Sequence, residues 1–213
     1  MHTLEATYRI VTPMFIGDAE QKATSLRPPS IKGALRFWWR ALNWGRCLHK
    51  ADNDVNAALK RLHDEEKRLF GLAAVTKDDH QVGGQGCFLL RVSQEIERTS
   101  ISEAQQGHAY LLGQGLYHCR NGYLRSALAA GKFTVSLAFR PNTTELDRKT
   151  LTDTLQVLGL LGGLGSRSRK GLGSIALHSL KVDKTFASIP TNLAELREAL
   201  RKLVDTQAPT LPH

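Results

Sequence analysis

The chain has 213 residues, with 29 Lys and Arg against 20 Asp and Glu, a formal net charge of +9 and 41% hydrophobic residues. That length and composition suffice for a buried core and argue against wholesale disorder, and no apolar run reaches the roughly 18 residues of a membrane span. The cysteines Cys47, Cys87 and Cys119 form no C-x-x-C pair, which argues against a disulfide framework or a structural zinc site, while the cationic surplus favours an anionic partner such as nucleic acid.

The N-terminal MHTLEATYRIVTP lacks the basic-then-apolar layout of a secretory signal, so a reducing, cytoplasmic setting is expected. Leu4 to Thr12 alternates apolar and polar residues and predicts a half-buried strand. Residues 13–29 read as a loop containing Asp18 and ending on Pro28-Pro29. Ser30 stands where an N-cap belongs, and 31–44 reads as helix. At 100° per residue, Ile31, Leu35, Trp38 and Leu42 fall within about 60° of one another and form a core-facing stripe. Lys32, Arg36 and Arg40 form a second, cationic stripe, with Trp39 at the border.

This helix lies in a segment, Gln21 to Ala51, that carries Lys22, Arg27, Lys32, Arg36, Arg40, Arg46 and Lys50 and no acid. The bland alternative is an amphipathic helix with a solvated basic face, but such a face usually mixes signs, so the absence of acids favours an anionic ligand. The free N–H groups expected at the helix start, beside Arg27, would suit a phosphate.

A second helix, about Asp54 to Phe70, has Leu59, Leu62, Leu69 and Phe70 on its apolar side. The glycine-rich VGGQG leads into a strand at about Cys87 to Val92, and residues 93–130 are an unassigned inserted hairpin or lobe. Lys132 to Arg140 is a strong strand, and Thr143 or Thr144 caps a helix running to about Leu161. A strand at Ser174 to Val182 and an amphipathic helix from about Asn192 to Val204 precede a tail with Pro209 and Pro212. Strand, helix, strand, strand, helix, strand is the α+β, ferredoxin-like arrangement, which is also the scaffold of RNA-recognition modules. A single domain over 1–213 is expected. Its core would be about 3–48, 86–93 and 132–184, with insertions at about 49–85 and 93–131 and a C-terminal helix at about 192–204.

Residues 163–173, GLGSRSRKGLG, link a helix to a strand, the reverse of the order that phosphate-binding G-x-x-x-x-G-K-[ST] loops and dinucleotide fingerprints need. They can instead bring Arg167, Arg169 and Lys170 against a sugar-phosphate backbone, with Gly163, Gly165, Gly171 and Gly173 permitting close approach. The bland alternative is a loop whose glycines only permit tight turning. This loop lies in a second acid-free stretch, Thr154 to Val182, and the two basic blocks form one surface if the fold brings them together.

TPMFIGDAEQKATSLRPPSIKGALRFWWRAL and GGLGSRSRKGLGSI together resemble the RAMP superfamily of CRISPR effector subunits, and within it the family of the first-numbered subunit of the type III-B Cmr complex. The resemblance implies a ferredoxin-like RAMP fold that binds CRISPR guide RNA near its 3′ end and helps to capture target RNA, beside other Cmr subunits and without cutting. It implies RNA contacts from Arg27, Lys32, Arg36 and Arg40 and from Arg167, Arg169 and Lys170; Trp39 and Arg46 complete the candidate set. Members are often longer, with two ferredoxin-like halves.

One alternative is a metal-independent endoribonuclease that processes guide RNA, and another is a protein-only scaffold whose basic face meets an acidic partner subunit. Related nucleases use His as acid or base, and His49, His63 and His118 are the candidates, with Asp18 a lone carboxylate. No H-E-x-x-H or nucleophile motif is present, and neither a cofactor nor a metal is expected.

Overall fold

The computed structural model describes residues 2–17, 25–77, 80–99, 112–113 and 115–205; Asp18, Lys22, much of the unassigned 93–130 segment, Pro209 and Pro212 lie outside them. In chain order the elements are β1 (Thr3–Ile10), α1 (Pro28–His49), α2 (Val55–Phe70), the hairpin β2 (Gly71–Lys77) and β3 (His80–Gln85), and β4 (Phe88–Thr99). The short pair β5 (Tyr117–His118) and β6 (Gly122–Tyr123) follows, then β7 (Ala127–Phe139), α3 (Glu145–Leu161), β8 (Ile175–Val182), β9 (Thr185–Phe186) and α4 (Leu193–Asp205).

The main sheet has the order β4-β7-β1-β8-β9 and is antiparallel throughout. Without its edge strand β9, this is the ferredoxin-like order, with β1, α1, β4, β7, α3 and β8 as the six elements. Along β1, Leu4, Ala6, Tyr8 and Ile10 are buried and alternate with Thr3, Glu5, Thr7 and Arg9. β7 repeats the pattern with Phe133, Val135, Leu137 and Phe139. One face of the sheet therefore carries the core under α1 and α3, and the other is polar. The Tyr8 hydroxyl reaches across that core to donate to the Leu155 carbonyl of α3 at 2.8 Å.

Helix α3 begins as the sequence leads one to expect. Thr144 accepts from the Asp147 N–H, and Asp147 accepts from the Thr144 N–H, a capping box. Arg68 of α2 donates both terminal nitrogens to the same carboxylate, at 2.7 and 2.5 Å, and so ties α2 to the start of α3. Burial pushes the Asp147 pKa up, but these hydrogen bonds outweigh it and hold the carboxyl below its ordinary value.

Helix α1 differs from expectation in two ways. It starts at Pro28, with Arg27 and not Ser30 as N-cap, because proline at the first helical position loses only an N–H that the helix has no use for. Its buried line is Ile31, Leu35, Trp39, Asn43 and Cys47, while Trp38 and Leu42 are half-buried. A strict four-residue row drifts around a helix of 3.6 residues per turn, so this row turns from the sheet toward a second neighbour. That neighbour is α2, whose Phe70 ring lies 6.1 Å from the Trp39 ring, and Phe70 in turn meets Phe88 at 5.5 Å. Trp39 is thus 1% exposed and a core residue, not a border one. Leu59, expected in the core, is 51% exposed on the far side of α2. The β2–β3 hairpin had no counterpart in the sequence reading, and β4 and β7 run several residues beyond their expected ends into the second insertion.

Candidate nucleic-acid interface

The cationic stripe of α1 forms, but it is not free of acids. Helix α2 packs alongside and brings Glu65 and Glu66 to it. Arg36 Nε donates to Glu66 Oε1 at 2.5 Å, and Arg40 Nη1 lies 3.8 Å from Glu66 Oε2. The Glu66 carboxylate is 4% exposed and spans two guanidiniums, so it neutralises half of that pair. Arg46 is bound outright: it pairs with Glu65 and donates to Asn43 Oδ1 at 3.0 and 3.2 Å. The Glu65 hydrogen bond holds its pKa above the ordinary value. Arg46 therefore ties α1 to α2 and is not on offer to a ligand.

Lys32 keeps no ion pair among the described residues; burial, with the Arg36 charge beside it, pulls its pKa below the ordinary value. Arg27 is exposed. The expected free N–H groups at the helix start are not there. Pro28 and Pro29 have none, and the N–H groups of Ser30 and Ile31 both donate to the Arg27 carbonyl. Positive charge at this end is supplied by the side chains of Arg27 and Lys32. A groove of about 500 Å³ opens beside them, between Pro29, Lys32 and Arg36 on one side and Gly71, Gly84 and Leu89 on the other.

The glycine-rich loop is a fixed structure. Leu164 N–H donates to the Gly173 carbonyl at 2.9 Å, Gly173 N–H to Pro13, and Ser166 N–H to Phe15 at 2.8 Å. Thr12 Oγ1 donates to the Gly171 carbonyl and accepts from Ser174 N–H, each at 2.8 Å. The loop thus closes on the segment that follows β1. Gly165 and Gly173 show why glycine is needed. Both have positive φ, and a Cβ on Gly165 would lie 2.6 Å from the Phe15 carbonyl oxygen, while one on Gly173 would overlap that of Leu164. Those glycines let the loop meet its own chain, so their close approach is internal, and the Gly173 N–H is already used.

At the loop tip Arg167 takes a left-handed conformation, and Ser168–Lys170 form one 3₁₀ turn. From that turn the Arg169 guanidinium lies over the Phe37 ring of α1, 4.9 Å from its centroid. Phe37 is 42% exposed and meets Trp38 edge-on at 5.4 Å. The two basic blocks do meet, and an exposed aromatic stands at the junction. Phe37 was not singled out in the sequence. The available signal was its place one residue from the cationic stripe, on the side away from Ile31 and Leu35.

Of the other candidates, His49 and His63 are exposed on α1 and α2, and His118 Nδ1 accepts from the Arg120 N–H at 3.2 Å. Among the described residues no group of three His, Cys, Asp or Glu is placed to hold a metal ion, and no helix is long and apolar enough to cross a membrane.

Fold and site together define a ferredoxin-like protein with a cationic helix-and-loop surface. The chain belongs to the RAMP superfamily, whose family model matches residues 7–176. It is similar to the crystal structure of Cmr1 from Pyrococcus furiosus in its apo form, with TM-score 0.62 and 22% identity over 97% of this chain and 60% of that one. It is also similar to a chain of the type III-B Cmr-β complex bound to cognate target RNA, solved by cryo-electron microscopy, with TM-score 0.58 and 13% identity over 99% and 63%. A chain of a type IV-B CRISPR complex matches with TM-score 0.54 and 15% identity over 91% of this chain and 96% of that one. At these identities the likeness is one of fold, and this chain spans about three fifths of the first two structures. No curated protein matches it at a significant level.

Proposed function

We propose that the chain is a non-catalytic RNA-binding subunit of a type III-B CRISPR ribonucleoprotein. In this reading it sits beside other Cmr subunits in the cytoplasm, contacts guide RNA near its 3′ end and helps to capture target RNA for antiviral defence. Superfamily membership supports it, as does a fold shared with Cmr1 and with a complex bound to target RNA. The observation that carries it is the seating of Arg169 on Phe37, which joins the loop cations to the α1 face. Arg27, Lys32, Arg169 and Lys170, with the surplus charge of Arg36 and Arg40 over Glu66, then offer a row of phosphate contacts. Phe37 adds a surface on which a base can stack. Such contacts position a strand without reading it, and pairing between guide and target supplies the sequence.

The test is titration of labelled guide-type RNA with purified protein over a range of salt, with the RNA then analysed for cleavage. Salt-sensitive binding to intact RNA is the expected result. Discrete cleavage that disappears when a histidine is replaced would overturn the reading in favour of a guide-processing endoribonuclease.

A further inference from the structure

The polar face of the main sheet, opposite α1 and α3, is not part of the surface described above, yet it carries its own cations and its own aromatic. Arg9 on β1 is the cross-strand partner of Lys132 on β7. Lys132 extends over β1, and its ammonium meets His178 Nε2 of β8 at 2.9 Å. His178 owes its position to a bulge. Thr7 pairs with Ser179 and Tyr8 with Leu177, which leaves His178 as the extra residue, turned to the exposed face. All three side chains are exposed, and among the described residues none forms an ion pair with a carboxylate.

On the same face lies the hydroxyl row Ser93, Thr134, Thr7 and Ser179, with Thr7 and Thr134 hydrogen-bonded at 2.8 Å. Beyond it, Lys181 pairs in register with Phe186 of β9. Phe186 is 68% exposed, more than any other large apolar side chain among the described residues. The Lys181 ammonium lies 5.9 Å from its ring centroid and 3.7 Å from Glu5. The two exposed phenylalanines, Phe37 and Phe186, thus lie on opposite sides of the sheet, each with a cation at its ring.

We infer that this face is a second binding site for single-stranded RNA, with Arg9, Lys132 and His178 holding phosphate and Phe186 stacking a base. The spacing fits one strand. His178 and Lys181 are three residues apart on β8, or about 10 Å at the rise of a β-strand, and hydroxyl donors lie between them. The site also adjoins the first, because Arg9 lies three residues before Thr12, which binds the glycine-rich loop at Gly171. A strand that leaves Arg169 and Lys170 can therefore continue around the β1 end of the sheet onto this face.

The inference rests on the RNA reading above, and the experiment separates the two. Fluorescently labelled single-stranded RNAs of about 6 and about 16 nucleotides, bracketing the footprint of a small binding domain, are titrated with the wild-type chain. The same titrations are run with Arg9→Ala/Lys132→Ala, Phe186→Ala and Arg169→Ala/Lys170→Ala, each first checked for native circular dichroism. With the longer RNA, the Arg9/Lys132 variant should lower the slope of log affinity against log salt by about 1.4, and Phe186→Ala should weaken binding about tenfold with the slope unchanged. If only the Arg169/Lys170 variant alters binding, the second site is refuted and the RNA reading stands. If the wild-type chain binds neither RNA, both fall. If the sheet-face variants instead lose an acidic protein segment while keeping full RNA affinity, the face is a protein interface and the inference is overturned.

Discussion

The two acid-free stretches of this chain meet different fates. In α1 the cations at positions 36, 40 and 46 come to rest against Glu65 and Glu66, which α2 carries in from some twenty to thirty residues away. In the glycine-rich loop Arg169 and Lys170 form no ion pair among the described residues, and the strongest contact of Arg169 is an aromatic ring. A run without acids in sequence is therefore not a surface without acids. Arg169 and Lys170 stay unneutralised because, among the described residues, the loop's neighbours at 12–16 and on the outer face of α1 bring no acid.

Five variants break or sharpen this contrast. Trp39→Ala has the largest effect: it should cost about 3–5 kcal/mol of folding stability by denaturant titration, as for a large aromatic removed from a core. A stable variant with weakened RNA binding would return Trp39 to the surface. Gly173→Ala should cost about 2 kcal/mol or more, since its positive φ and the Leu164 carbonyl both reject a Cβ. A negligible loss would mean that the loop is free to rearrange.

The effects on binding are smaller. Arg169→Ala/Lys170→Ala should reduce the salt slope for single-stranded RNA by about 1.4, and Arg36→Ala/Arg40→Ala by about 0.7, because Glu66 already offsets one of those two charges. Equal slopes for the two variants would erase the contrast. Glu66→Gln should act in the opposite sense, steepening the slope by up to about 0.7 while destabilising the fold by about 1–2 kcal/mol, a figure discounted because Arg36 is 36% exposed.

Much of the scaffold was legible. Period-two alternation marked β1, Lys132 to Arg140 read as the strand within β7, a cap at Thr143 or Thr144 marked the start of α3, and the order of elements led to the ferredoxin-like sheet. The N-cap of α1 was misplaced by the usual preference for serine over arginine, although Pro-Pro was the stronger sign. Of the candidate site, Arg27, Lys32, Arg169 and Lys170 were legible as cations, and among the described residues they form no ion pair. Phe37, Phe186 and the Arg9, Lys132 and His178 cluster were not, since each is an ordinary residue until cross-strand register or a packed loop gives it neighbours.

Composition and periodicity by themselves determined a basic α+β chain, its helices and strands, and which segments are rich in cations, because these depend on neighbours within a few residues. Which cations stay available, whether Trp39 or Phe37 faces outward, and whether the glycines serve a ligand or the chain itself were decided only by tertiary structure. Charge neutralisation and burial act through space, and in this chain the partners that matter lie some twenty to one hundred and sixty residues apart.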